Sequence, residues 1–244
     1  MTARQDGERR QAELVTALGA LRARIADACS AAGRDPRSVR LVAVTKTYPA
    51  SDVANLVRIG VEDVGESRDQ EARAKAADTA ALLAGAPLPT WHFVGRLQSR
   101  KCRSVASYAG AVHSLDRAEL ASKLADGVTA AGRPPLDVFV QISLDGDPDR
   151  GGVRAAGVAE VAAATAEHPQ LRLRGVMAVA PLGADPDAAF AQLAEVSLAL
   201  REDHPSADAI SAGMSEDFEA AIRHGSTHVR VGSALLGRRS PVFG

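Results

Sequence analysis

Val39-Arg40-Leu41-Val42-Ala43-Val44-Thr45-Lys46 is a short apolar run, rich in β-branched side chains, that stops at a threonine and a lysine. A run of this length and composition reads as a strand buried on both faces. Upstream, Leu14, Leu18, Leu21 and Ile25 recur at spacings of four, three and four, which predicts an amphipathic helix closed by Gly33 and Pro36. Downstream the pair repeats. A helix over 52–58 leads to a strand over 61–65, and a helix over 70–84 leads to a strand over 91–95. Further strands are predicted over 111–115, 138–144, 173–179, 209–213 and 228–231, most of them separated by helical stretches. The clearest late helix spans 186–201, with Asp185 as cap, Pro186 in the first turn, and Phe190, Leu193, Val196 and Leu200 turned inward.

Eight strands alternating with helices imply a parallel sheet covered by helices. Eight such units in a chain of 244 residues fit a closed (β/α)8 TIM-type barrel with an added N-terminal helix. An open doubly wound sheet is the alternative, but no G-x-G-x-x-G follows the first strand. No linker or low-complexity stretch interrupts the pattern, so residues 1–244 read as a single domain.

Composition narrows the function. Apolar residues make up 46% of the chain and the formal net charge is −1, which offers nothing to a polyanion. The longest basic cluster, Arg100-Lys101 with Arg103, reads as a solvated helix face, so no nucleic-acid partner is expected. Met1 to Arg10 is polar, and no apolar run approaches the roughly 20 residues that span a bilayer. Cys29 and Cys102 are far apart and in no metal spacing. A cytoplasmic protein with reduced thiols is expected.

Only four of the 29 basic residues are lysines: Lys46, Lys75, Lys101 and Lys123. The last three sit among polar residues at helical spacing and read as surface. Lys46 falls at the C-terminal end of the first strand, where barrels keep their active sites. A partly buried lysine there loses proton affinity, and a neutral amine attacks an aldehyde to form a Schiff base. The alternative is a lysine snorkelling to the barrel rim.

The last two strands favour the chemical reading. Gly213-Met214-Ser215-Glu216-Asp217 follows the seventh strand, and Gly232-Ser233 follows the eighth. These are the loops where barrels commonly hold phosphate, and small hydroxyls, glycines and backbone N–H groups suit a dianion. Ser215 reads as a helix N-cap, with Glu216 and Asp217 turned outward. Arg230, two residues before Gly232, would face the ring nitrogen of pyridoxal 5'-phosphate (PLP) and keep it unprotonated. Its alternative role is an ion pair with a neighbouring carboxylate. Met177 and Met214 read as core or pocket-wall residues.

Leu41-Val42-Ala43-Val44-Thr45-Lys46-Thr47, Val64-Gly65-Glu66-Ser67 and Trp91-His92-Phe93-Val94-Gly95-Arg96-Leu97-Gln98 occur in order. Leu173-Arg174-Gly175-Val176-Met177, Gly213-Met214-Ser215-Glu216-Asp217 and Val229-Arg230-Val231-Gly232-Ser233 follow. Through these segments, which cover nearly the whole chain, the sequence resembles the pyridoxal phosphate homeostasis protein family. The resemblance implies a barrel like the N-terminal domain of alanine racemase, the type III fold of PLP proteins. It implies PLP as cofactor, Lys46 as its Schiff-base lysine, Ser215, Gly232 and Ser233 around the phosphate, Arg230 at the ring nitrogen, and Met214 as a further cofactor-binding residue. It also implies a role in vitamin B6 and amino-acid homeostasis, with PLP-accepting apo-enzymes as partners and no established catalysis.

The chain departs from the family pattern at Ser67, where Asn is usual, at Arg100, and at Arg150-Gly151-Gly152, where Lys-x-Gly is usual. Arg150 cannot form a Schiff base, so a second PLP-accepting role is not expected there. An amino-acid racemase is the alternative function. Racemases of this fold take a second base, usually a tyrosine, from an added β-domain, and the only tyrosines here are Tyr48 and Tyr108, the latter expected in a helix. With aromatic residues at 3%, a large aromatic interface is not expected, and a monomer is the default. Asp145, Asp147 and Asp149 alternate as in a calcium loop, but Arg150 and Ala156 occupy the positions that need glycine and glutamate. His92, between Trp91 and Phe93, reads as a core or pocket-lining residue rather than a metal ligand.

Overall fold

The computed structural model describes residues 3–147 and 150–237. Eight strands form the ring: β1 (Arg40–Val44), β2 (Asp63–Glu66), β3 (Thr90–Phe93), β4 (Ala111–Leu115), β5 (Leu136–Gln141), β6 (Leu171–Met177), β7 (Ala209–Ser211) and β8 (His228–Val231). Each pairs in parallel with the next, and β1 pairs with β8 through Val42 against Arg230 and Ala43 against Val231, which closes the barrel. The helices are α1 (Ala3–Ala31), α2 (Ala50–Arg58), α3 (Asp69–Leu83), α4 (Cys102–Ala106), α5 (Ala118–Ala131), α6 (Val158–Ala166), α7 (Pro186–Asp203), α8 (Phe218–Arg223) and α9 (Ser233–Leu236). The eight expected strands are all present, with ends shifted by a few residues. Asp149 of the apparent calcium loop lies outside the described residues; Asp145 of that loop pairs with Arg150 at 3.1 Å. Among the described residues no helix is long and apolar enough to cross a membrane.

The period-two alternation of the strands sorts their side chains into two layers. Ala43, Val64, Trp91, Val112, Val138, Val176, Ile210 and Val229 point outward into the main apolar core beneath the helices. Leu14, Leu18, Leu21 and Ile25 bring the apolar stripe of α1 to the same core. Each such leucine, fully buried, contributes about 1.5–3 kcal/mol. On α7 the buried stripe is Phe190, Leu193, Ser197 and Leu200. Val196 is only half-buried because a 3.6-residue period carries the stripe through position 197 instead.

Inside the ring the composition changes. Phe139, Met177 and Ala209 form a small separate apolar cluster, surrounded by buried Asp63, His92, His113, Ser211, His228 and Arg230. A hydrogen bond joins His113 on β4 to Ser211 on β7, strands that are not neighbours, so it crosses the lumen. Branched aliphatic side chains usually fill this space. Here imidazoles do: His113 stacks on Phe139 at 4.4 Å between ring centres, and His228 meets Phe139 edge-on at 5.2 Å.

Candidate functional site

Lys46 sits two residues past the end of β1, in a turn held by Thr45 N–H donating to Gly65 O (2.9 Å) and Tyr48 N–H donating to Thr45 O (3.0 Å). Thr47 completes the turn at φ 69°. A β-branched residue rarely enters this left-handed region, which marks stored strain beside the lysine. The turn carries Lys46 over the mouth of the ring, where it is exposed rather than partly buried as the sequence suggested.

The buried lysine is Lys75, which its polar neighbours had marked as surface. α3 lays Ala72, Lys75, Thr79 and Leu83 on its inner face. The Lys75 ammonium is matched there by Glu66 Oε1 at 2.5 Å and Thr45 O at 2.8 Å. Thr45 Oγ1 also donates to Glu66 Oε1 at 2.8 Å. Lys101 is half-buried and pairs with Asp69 at 3.2 Å; only Lys123 is exposed as expected.

On the same rim, just past β7, Gly213 adopts φ +91°, and a Cβ there would lie 2.7 Å from both Ala221 and Phe218, so only glycine fits. Asp217 folds back to accept from Met214 N–H at 2.6 Å and is half-buried rather than turned outward; Glu216 is exposed as expected. Ser215 does not cap α8, which begins only at Phe218, after Asp217. Its hydroxyl accepts instead from Ser233 Oγ (3.1 Å) and from the backbone N–H of Ala234 (3.3 Å). The two post-strand loops thus converge on a pair of serine hydroxyls. Gly232 permits this approach: a Cβ there would come within 3.2 Å of Val44 O, on the strand that carries Lys46. Met214 is 41% exposed at the rim rather than a wall of the core, because Gly213 reverses the chain just before it.

Arg230 projects into the lumen and is 5% exposed. Its Nη1 donates to Ser211 Oγ (2.6 Å) and its Nη2 to Ala178 O (2.9 Å). Burial pulls its pKa down to about 10, against a smaller upward pull from Asp217, so it remains a cation at neutral pH. Among the described residues it makes no ion pair, which removes the alternative role considered for it.

Sequence reasoning left out two of the histidines that fill the lumen. His113 and His228 were not singled out, although each stands at an inward position of its strand in the alternation that also places His92. Neither tyrosine is available at the mouth. Tyr48 Oη donates to Gly237 O at 2.5 Å. Tyr108 lies in the turn after α4 rather than in a helix, and burial pushes its phenol far up.

These features agree with what the chain is similar to. The family model of the alanine racemase N-terminal domain matches residues 16–240. The pyridoxal phosphate homeostasis protein of Mycobacterium leprae is 47% identical over 240 residues, covering 93% of each chain. The structure of PipY from Synechococcus elongatus PCC7942 with PLP bound is 31% identical, covers 92% of this chain and 100% of that one, and superposes with a TM-score of 0.78. Alanine racemase of Corynebacterium glutamicum shares the fold at 13% identity and a TM-score of 0.66, with 60% of its length covered. This chain, a closed parallel barrel with the alanine racemase N-terminal architecture, belongs to the pyridoxal phosphate homeostasis protein family.

Proposed function

We propose that this chain binds PLP covalently through Lys46, and that it is a non-catalytic holder acting in PLP and amino-acid homeostasis as one barrel domain over residues 1–244. The observation that carries the reading is the convergence of the Ser215 and Ser233 hydroxyls past β7 and β8, with β8 paired to β1, the strand that leads into Lys46. The donor set fits the cofactor. Two hydroxyls and the Ala234 N–H suit a phosphate, with Met214 exposed in the same loop, and the glycines at 213 and 232 let the two loops pack closely against α8 and β1. Arg230 presents a lasting cation to a ring nitrogen and so holds that nitrogen unprotonated.

The cofactor supplies an aldehyde that an amine can capture; Lys46 supplies the amine, and the exposed turn around it leaves a route to solvent and to an accepting apo-enzyme. An unprotonated ring is a weak electron sink, which suits holding better than carbanion chemistry. The racemase alternative needs a second base over the opposite face. Tyr48 is committed to Gly237 and Tyr108 is buried, so neither described tyrosine serves. The relatives are named for homeostasis, and a cytoplasmic monomer is the state we propose.

The test is the visible spectrum of the purified protein, followed by borohydride reduction and peptide mapping. A yellow band trapped on the Lys46 peptide and lost in Lys46→Ala is expected. A Lys46→Ala protein that keeps a full complement of PLP would overturn the reading.

A further inference from the structure

The lumen contains an unbroken line of hydrogen bonds. Arg230 Nη1 reaches Ser211 Oγ at 2.6 Å, and Ser211 Oγ reaches His113 Nδ1 at 2.8 Å. His113 Nε2 reaches His92 Nδ1 at 2.8 Å, and His92 Nε2 reaches Asp63 Oδ1 at 3.0 Å. Arg40 Nε stands 3.2 Å from the other carboxylate oxygen of Asp63. The line begins at Ser211, the last residue of β7 at the mouth, and ends at Asp63, the first residue of β2 at the opposite face. Arg40 and Asp63 there line a groove together with Arg22, Arg37 and Glu62.

The guanidinium fixes the direction of the first link, and one direction for the rest lets neutral rings satisfy every contact. A guanidinium only donates, so Ser211 Oγ accepts from Arg230. The serine hydrogen then goes to His113 Nδ1, which puts the His113 hydrogen on Nε2. That hydrogen goes to His92 Nδ1, and the remaining His92 hydrogen, on Nε2, meets the carboxylate. In this direction both imidazoles carry a hydrogen on Nε2, the same tautomer. Reversing the line would set an imidazole lone pair against the carboxylate or leave a buried imidazolium beside another histidine. Burial and the neighbouring positive charges hold His113 well below the ordinary histidine range.

We propose that Asp63, His92, His113 and Ser211 form a relay that positions Arg230 toward the ring nitrogen of the bound cofactor. The inference rests on the PLP reading above. Asp63 orients His92, His92 orients His113, and His113 orients the Ser211 hydroxyl that accepts from Arg230, so each link fixes the next. Two of the five arginine N–H bonds have protein acceptors among the described residues, Ser211 and Ala178, which fixes the plane of the guanidinium and leaves N–H bonds to meet the ring nitrogen. Ser211, His113 and His92 touch no cofactor on this account; they are positioning residues.

Two measurements test it. The first needs no cofactor: long-range 15N–1H spectra of the histidines in the cofactor-free protein should show His92 and His113 protonated on Nε2. A hydrogen on Nδ1 of either ring would overturn the relay. The second compares PLP titrations of wild type, Ser211→Ala, His113→Leu and His113→Gln. Ser211→Ala and His113→Leu should each weaken PLP binding about tenfold and move the pH midpoint of the visible band. Gln offers one donor and one acceptor and should restore binding to within about threefold. Ser211→Ala, the smallest change, decides the matter if His113→Leu does not fold. Wild-type affinity and band midpoint in a folded Ser211→Ala would overturn the positioning role while leaving the PLP reading intact. A wild-type chain that takes up no PLP would overturn the proposed function and with it any role toward a cofactor.

Discussion

The Lys75 ammonium lies 2.5 Å from Glu66 Oε1, and both side chains are almost fully buried directly behind the turn that bears Lys46. The second Glu66 oxygen is buried without a partner among the described residues. Removing one member of such a pair leaves the other as an uncompensated buried charge, which costs about 3–5 kcal/mol. Lys75→Met should therefore lower the urea midpoint strongly, and adding Glu66→Gln should recover part of the loss because an amide is cheaper to bury than a carboxylate. A Lys75→Met chain as stable as wild type would show that the pair adds nothing.

Thr47 holds φ 69°, a conformation costing a β-branched residue roughly 1–3 kcal/mol. Thr47→Gly should relieve it and, after the entropy lost in fixing glycine, raise stability by about 1 kcal/mol. The same change loosens the aim of Lys46, so PLP uptake should become weaker as the melting point rises. A thermal melt alongside a PLP titration reads both effects.

The serine pair gives a selective prediction. Replacing Ser215 and Ser233 together with alanine should weaken PLP binding about a hundredfold or more, since each hydroxyl would contribute a hydrogen bond to a charged group. Binding of pyridoxal, which lacks the phosphate, should hardly change. Equal losses for both ligands would place the phosphate elsewhere.

Acid sensitivity follows from the lumen. Burial lowers His113 well below the usual histidine value and takes His228 down to about 3. When unfolded, each imidazole binds a proton as the pH falls through about 6.5; when folded, each stays neutral. The unfolded chain therefore takes up more protons below that pH, and stability falls on acidification by about 1.4 kcal/mol per pH unit for each histidine. Burial opposes ionisation of Asp63, but its bond to His92 and the charge of Arg40 outweigh that and hold its pKa low. Its contribution is present above about pH 4 and is lost below, in the same direction. The groups facing these histidines are Asp63, His92, Arg40, Arg174 and Arg230. Urea midpoints measured from pH 7.5 to 4.5 should drop steeply, and His113→Gln should reduce the slope by about one proton.

The barrel was legible because its strands are short β-branched runs, such as 39–44, spaced by helices with clear stripes and stops. Gly213 and Gly232 were legible as close-approach positions just past β7 and β8, where a Cβ would crowd Phe218 and Val44. Other features depend on contacts between residues distant in the chain. Lys75 reads as surface until α3 is known to set it against Glu66. Ser215 reads as a helix cap because the rule is local, whereas its actual donors, Ser233 and Ala234, are 18 and 19 residues away. The relay joins side chains on β2, β3, β4, β7 and β8, and no local periodicity distinguishes an inward histidine in a hydrogen-bonded chain from one in a core.

Closure of the ring by β1 against β8 sets a constraint on synthesis. β1 is made early and gains its second neighbour only when His228 to Val231 have been added. For most of translation it therefore presents an open edge of N–H and C=O groups, the kind of surface that pairs with other chains. Polypeptides cut short before His228 would keep two open edges. Complete and truncated products should thus differ in solubility far more than a loss of 17 C-terminal residues, about 7% of the chain, would suggest.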